Sequence, residues 1–228
     1  DDDMLVMHKL FNYSYEEIEQ VVTVLAKDGQ EAVGSMGDDT PMAVLSQKTR
    51  TFYDYFRQLF AQVTNPPIDP LREAHVMSLA TSIGREHNVF SETAGYARRI
   101  QFESPVMMYS DLKQLKAADE KYYKHHIISL NFDPNDEDME TAVRRVCAEA
   151  VRVVREDKVV LVILTDRRIE QGLIPIPAAM AVGAVHHALV DNQLRCDSNI
   201  IIETATTRDP HHFAVLVGLG ATGIYPFL

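Results

Sequence analysis

The sequence predicts an α/β fold of mostly parallel βα units, arranged as an incomplete or modified (β/α) barrel, behind a helical and loop-rich N-terminal part. Three observations carry this. The runs at 159–164 and 200–202 are continuously apolar, as strands covered on both faces are. Strand-like segments "HHIISLNF", "KVVLVILTD", "SNIIIET" and "TGIYP" alternate with helical periods near 136–156, 177–191 and 211–219. Right-handed helical crossovers between four such parallel strands give an open α/β sheet or part of a barrel.

The N-terminal part reads differently. Residues 1–9 read as a linker or remnant with no fold-specifying signal, 10–104 as helical and loop-rich, and 105–228 as the βα-repeat part. In "SYEEIEQVVTVLAKDG" Ser14 is a candidate N-cap, Glu17 completes a capping box and Gly29 is the stop. A second helix is expected from Thr49 to about Gln62, with Phe52, Tyr53, Phe56, Leu59 and Phe60 at helical spacing as a packing stripe. The stretches "GSMGDDTPMAVLS" and "QVTNPPIDPLRE" read as long loops, which in a compact domain are functional or packed against something. In the second loop, Pro66, Pro67 and Pro70 fix three φ angles, and Asp69 suits an N-cap.

Composition narrows the partners. The 228 residues carry a net charge of −11 and show no basic stripe with interleaved aromatics, which argues against nucleic acid. The two cysteines, Cys147 and Cys196, lack metal-ligand spacing and read as reduced thiols of a cytoplasmic protein. No apolar run approaches the roughly 18–20 residues of a membrane span, and the acidic start "DDDMLVMHKL" is unlike a secretory signal.

Polar groups fall at the predicted carboxyl ends of strands: Asn131 and Asp133, Asp166 with Arg167 and Arg168, and Glu203 with Thr204. That rim is where α/β folds bind ligands. The alternative is local structure: Asp133 and Asp209 each precede a proline and suit turns or N-caps, and Asp166 has Arg167 beside it to pair with. The adjacent pairs His125–His126, His186–His187 and His211–His212 cannot chelate one ion as an i, i+4 pair does. "GLGATG" follows a helix and leads into a strand, the reverse of a dinucleotide loop, so it reads as a helix C-cap with close packing. Neither a nucleophile elbow nor a phosphate loop is present in the sequence. The final β-α-β unit leaves an apolar edge strand that is exposed unless something covers it.

The strings "SMGDDTPMAVLS", "YDYFRQLFAQVTNPPIDPLRE", "AVGAVHHALV" and "IIETATTRDPHHFAVLVGLGATGIYP", and more loosely "LTDRRIEQGLIPIPAAMAVG", resemble the central domain of the glutamate synthase large subunit from about Leu10 to the last residue. The resemblance implies an oxidoreductase acting on CH–NH2 donors, in glutamate biosynthesis and ammonia assimilation. It also implies an amidotransferase domain before this segment and an FMN-binding domain with a 3Fe–4S cluster after it. The segment itself matches neither reaction's residues, and its two separated cysteines cannot ligate a cluster. The reading that follows is a scaffold, inactive alone and without a cofactor of its own, that lines part of an ammonia channel. Channel or interface positions expected on that reading are Asp38, Asp39, Thr40, Gln62, Thr64, Asn65 and Asp69. The alternatives are a free-standing barrel-like enzyme using Asp166, Glu203 and Arg208 on a small anionic substrate, and a pure interaction module.

Overall fold

The computed structural model describes residues 2–30, 32, 43–47, 50–56, 71, 75, 77–88 and 90–228. The chain divides into two compact units, Asp1–Ser78 and Leu79–Leu228.

In the first unit, helix α1 covers Asp2–Leu10 and ends on the buried Phe11. Helix α2 is helical over Tyr15–Glu17, widens to a π segment over Ile18–Val22 and returns to α over Thr23–Asp28. Its start is the predicted capping box: Ser14 Oγ accepts from Glu17 N, and Glu17 Oε2 accepts from Ser14 N. Its stop is Gly29 at φ 62°, a left-handed position that a side chain would strain. The second predicted helix is corrected in its described part. A single 3-10 turn covers Phe52–Tyr55, closed by Asp54 Oδ2 accepting from Thr51 N, and Phe56 is already extended at φ −101°, ψ 127°. Tilted contacts of Phe52 with Tyr55 and Phe56 replace a straight helical stripe, and Tyr53 is buried. The remainder of that expected helix, including Leu59 and Phe60, lies outside the described residues.

The second unit is built on a parallel sheet. Strands β3 (His125–Ser129), β5 (Leu161–Thr165), β7 (Asn199–Thr204) and β8 (Gly223–Pro226) lie side by side in that order. Helices α5 (Met139–Arg155), α6 (Ala178–Asp191) and α7 (Pro210–Gly218) connect them. Because spatial order follows chain order, every right-handed crossover steps in the same direction and places its helix on the same face, as in a (β/α) barrel. No barrel closes among the described residues. Instead the other face, carrying Leu161, Ile163 and Ile201, packs against Ile83, Met107, Leu112 and Leu115. These come from helix α3 (Tyr109–Lys116), the segment before it and a strand pair, β1 (Thr81–Ile83) and β2 (Ile100–Phe102). That antiparallel pair, in register Ile83↔Ile100, was not visible in the sequence. A short helix, α4 (Glu120–Tyr123), leads into β3.

Two of these helices start at side-chain caps. Asp138 Oδ1 accepts from Thr141 N at the start of α5, and Asp209 Oδ1 accepts from His212 N at the start of α7, with Pro210 at the first helical position. Helix α5 buries Ala142, Val146, Ala150, Val153 and Val154, one stripe at the helical period, and exposes the Glu140–Arg144 pair.

The expected bare edge at β8 is corrected. Ile224 N donates to Pro105 O and Met107 N donates to Ile224 O, both at 2.8 Å, so residues 105–107 occupy the outer side of that strand. A Cβ on Gly223 would meet the Met107 side chain, 2.3 Å from its Cε, so the glycine leaves room for that side chain.

Candidate functional site

The parallel sheet places Asp166 and Glu203 at the carboxyl ends of neighbouring strands. Thr165 and Glu203 are register partners, and Asp166 N donates to Glu203 O at 3.2 Å, so the alignment continues one residue past the ladder. Successive strand residues point to opposite faces, which separates the two carboxyls. Glu203 turns toward the face packed by α3. Its Oε1 lies 3.0 Å from Arg167 Nη1 and its Oε2 lies 3.8 Å from Lys116 Nζ. Asp166 turns to the other side with Thr204. Its Oδ2 accepts from Thr204 Oγ1 at 2.5 Å, and its Oδ1 accepts from Ala205 N at 3.2 Å.

Asp166 therefore does not hold Arg167, as its neighbour in sequence invited. Arg167 takes Glu203 and lays its guanidinium 5.3 Å from the ring centre of Phe227. Arg208, buried in the turn after β7, donates its main-chain N–H to His212 Nδ1, and neither Asp166 nor Glu203 forms an ion pair with it. Asp166 and Glu203 are 1% and 4% exposed, so neither carboxyl is open to solvent.

The other rim residues have local partners. Asp133 Oδ1 accepts from Asn135 N in an Asx turn, as its place before Pro134 predicts. Asn131 Nδ2 donates to the carbonyls of Asp166 and Arg168, pinning the segment after β5, which then returns as β6 (Ile174–Pro175) to pair antiparallel with β4 (Asn131–Phe132). Sequence reasoning missed Lys116. Its signal was weak, because a lysine in the last turn of a helix also suits the helix dipole.

The opposite end of the sheet holds a second polar cluster that the sequence did not reveal. Arg195 Nε donates to His186 Nδ1 at 3.1 Å, Nη1 to Ser198 O at 2.7 Å and Nη2 to Gly220 O at 2.9 Å. Gly220, within "GLGATG", has φ 112° and serves close packing as expected. Among the described residues no group of three or more His, Cys, Asp or Glu is placed to hold a metal ion, and no helix is long and apolar enough to cross a membrane. The predicted positions Asp38, Asp39, Thr40, Gln62, Thr64, Asn65 and Asp69 lie outside the described residues.

Sequential parallel strands, connecting helices on one face and a rim tied up in its own ion pairs and hydrogen bonds define a βα-repeat domain of open-barrel type. The chain belongs to the glutamate synthase central domain family, whose model matches residues 6–228. It is 38% identical over 226 residues to the glutamate synthase [NADPH] large chain of Bacillus subtilis, covering 99% of this chain and 15% of that protein. It is 39% identical over 222 residues to glutamate synthase [NADH] of Schizosaccharomyces pombe, covering 96% and 10%. It is 42% identical over 230 residues to ferredoxin-dependent glutamate synthase 2 of a Synechocystis strain, covering 99% and 14%. The chain thus spans 10–15% of the length of these relatives.

Proposed function

We propose that this chain is the linking domain of a glutamate synthase large subunit: a scaffold without catalytic groups of its own, set between an amidotransferase domain and an FMN-binding synthase domain. In that role it holds two active centres in register and lines part of the route by which ammonia passes between them. The observation that carries the reading is the rim, where Glu203 is taken by Arg167 and Lys116, and Asp166 by Thr204 and Ala205. Groups committed to one another in this way do not converge on a substrate.

The comparisons support a role separate from electron delivery. Relatives named for NADPH, NADH and ferredoxin match this segment about equally well, so donor choice belongs to other parts of the protein. Channelling has a chemical basis. At neutral pH free ammonia is mostly protonated and no longer nucleophilic, and an enclosed route preserves its reactivity.

The test uses the full-length enzyme. On this proposal Thr64 and Asn65 belong to the ammonia route, and Thr64→Val is expected to depress glutamine-dependent glutamate synthesis several-fold more than synthesis from added ammonium. Equal losses in the two assays, or none in either, would contradict a place on that route.

A further inference from the structure

Asp166 is an unusual residue to bury. It is 1% exposed, no cation lies within ion-pair distance among the described residues, and its two hydrogen-bond donors there are one neutral hydroxyl and one main-chain N–H. The charged groups around it do not compensate it. Glu203 on β7 is a second carboxyl, and Arg167 after β5 and Lys116 on α3 both go to Glu203. Arg208 and His212, buried in the turn and at the start of α7, make no ion pair with it. Asn131 reaches only its carbonyl. A carboxylate in that setting loses its hydration and gains no opposite charge, so the neutral acid is the favoured form.

The hydrogen bonds accommodate that proton. Thr204 Oγ1 is 2.5 Å from Asp166 Oδ2 and 2.9 Å from Thr206 Oγ1, and it accepts from Thr206 N at 3.1 Å. We propose that Asp166 is a proton-binding site, a buried carboxylic acid whose proton is shared along the hydroxyls of Thr204 and Thr206 and clasps the turn after β7 onto the end of β5. In the acid form Oδ2–H donates to Thr204 Oγ1, and Thr204 donates to Thr206. When a solvent base removes the proton, Thr204 turns its O–H to Oδ2 and accepts from the Thr206 hydroxyl. One proton leaves, and the Asp166–Thr204 and Thr204–Thr206 hydrogen bonds are both kept. What the ionised form adds is a buried negative charge beside Glu203, which loosens the clasp.

Burial, offset in part by the Thr204 and Ala205 hydrogen bonds, pushes the Asp166 carboxyl up to about 7. A raised carboxyl means that the folded chain binds more protons than the unfolded one between its ordinary value and the raised one. Its contribution to stability is full below about pH 4 and declines until about pH 7. Asp166→Asn keeps the shape and removes the titration.

The experiment is thermal unfolding of the 228-residue chain and its D166N variant from pH 4 to pH 9, paired with infrared spectra of aspartate-labelled protein. The unfolding temperature of D166N relative to wild type is expected to rise by about 5–10 °C between pH 4 and pH 7 and then hold constant. Wild type is expected to show a protonated-carboxyl stretch at pH 6 that is gone by pH 8.5 and absent from D166N. In T204V, which removes a donor to the carboxylate, the band should persist to higher pH, whereas T204S should match wild type. The spectrum of wild type alone suffices if D166N fails to fold. Absence of the band at pH 6 overturns the proposal whatever the unfolding curves show, and a band that titrates unchanged in T204V overturns the shared proton.

Discussion

Replacing Gly220 with alanine is expected to destabilise the chain by about 3–5 kcal/mol, among the larger effects a single methyl group produces. Two independent costs add. The backbone at φ 112° lies where side chains are rarely tolerated, and a Cβ there would sit 2.4 Å from His186 Nδ1 and 2.7 Å from its Cγ. The ring cannot swing away cheaply, because Arg195 Nε holds Nδ1 at 3.1 Å. Gly218, two residues earlier and at the end of α7, is the control. A Cβ there meets nothing within 4 Å, so Gly218→Ala should be neutral or slightly stabilising. Denaturant unfolding of both variants checks the pair, and equal stabilities would show that the packing at Gly220 is looser than described.

Arg195→Met is the second large effect, expected at about 2–4 kcal/mol, or roughly 5–15 °C in unfolding temperature. Methionine preserves the apolar stem but removes donors to His186 Nδ1, Ser198 O, Gly220 O and Thr222 Oγ1, which come from α6, the entry to β7 and the entry to β8. One guanidinium thus ties three successive βα units at the amino ends of their strands. The same contact has a pH dependence. Burial, with the Arg195 charge next in size, holds the His186 pKa below its ordinary value. The neutral ring is therefore the form that folds, and stability from this contact is lost as pH falls below about 6.5. In R195M that acid-side loss should shrink. A variant that unfolds like wild type would assign the cluster no structural weight.

The sequence carried the repeat well and the cross-connections poorly, for physical reasons. Strands β5 and β7 are buried along their whole lengths, so their apolar runs needed no periodicity to be recognised. Ser14, Glu17, Gly29 and Asp209 act within four residues of their own positions, and such local chemistry is readable. Strands β1 and β2 have three residues each and pair across the interval 84–99, which leaves no local signature. Arg195 and Lys116 are likewise defined by partners distant in sequence. That Asp166 and Glu203 lie at the ends of adjacent strands was legible in the sequence. Their pairing was not, because alternation along the strand sends Arg167 to Glu203 and leaves Asp166 to Thr204.

The linking role proposed above requires that the domain bind no substrate or cofactor itself. Calorimetric titration of the 228-residue chain with FMN, 2-oxoglutarate and NADPH tests it most directly, alongside assays for glutamine hydrolysis and glutamate formation. Flat titrations for all three ligands, a colourless protein and no turnover in either assay are expected. A saturable isotherm for any of the three, weakened by Glu203→Gln at the strand rim, would contradict that role and establish the rim as an enzyme's binding site.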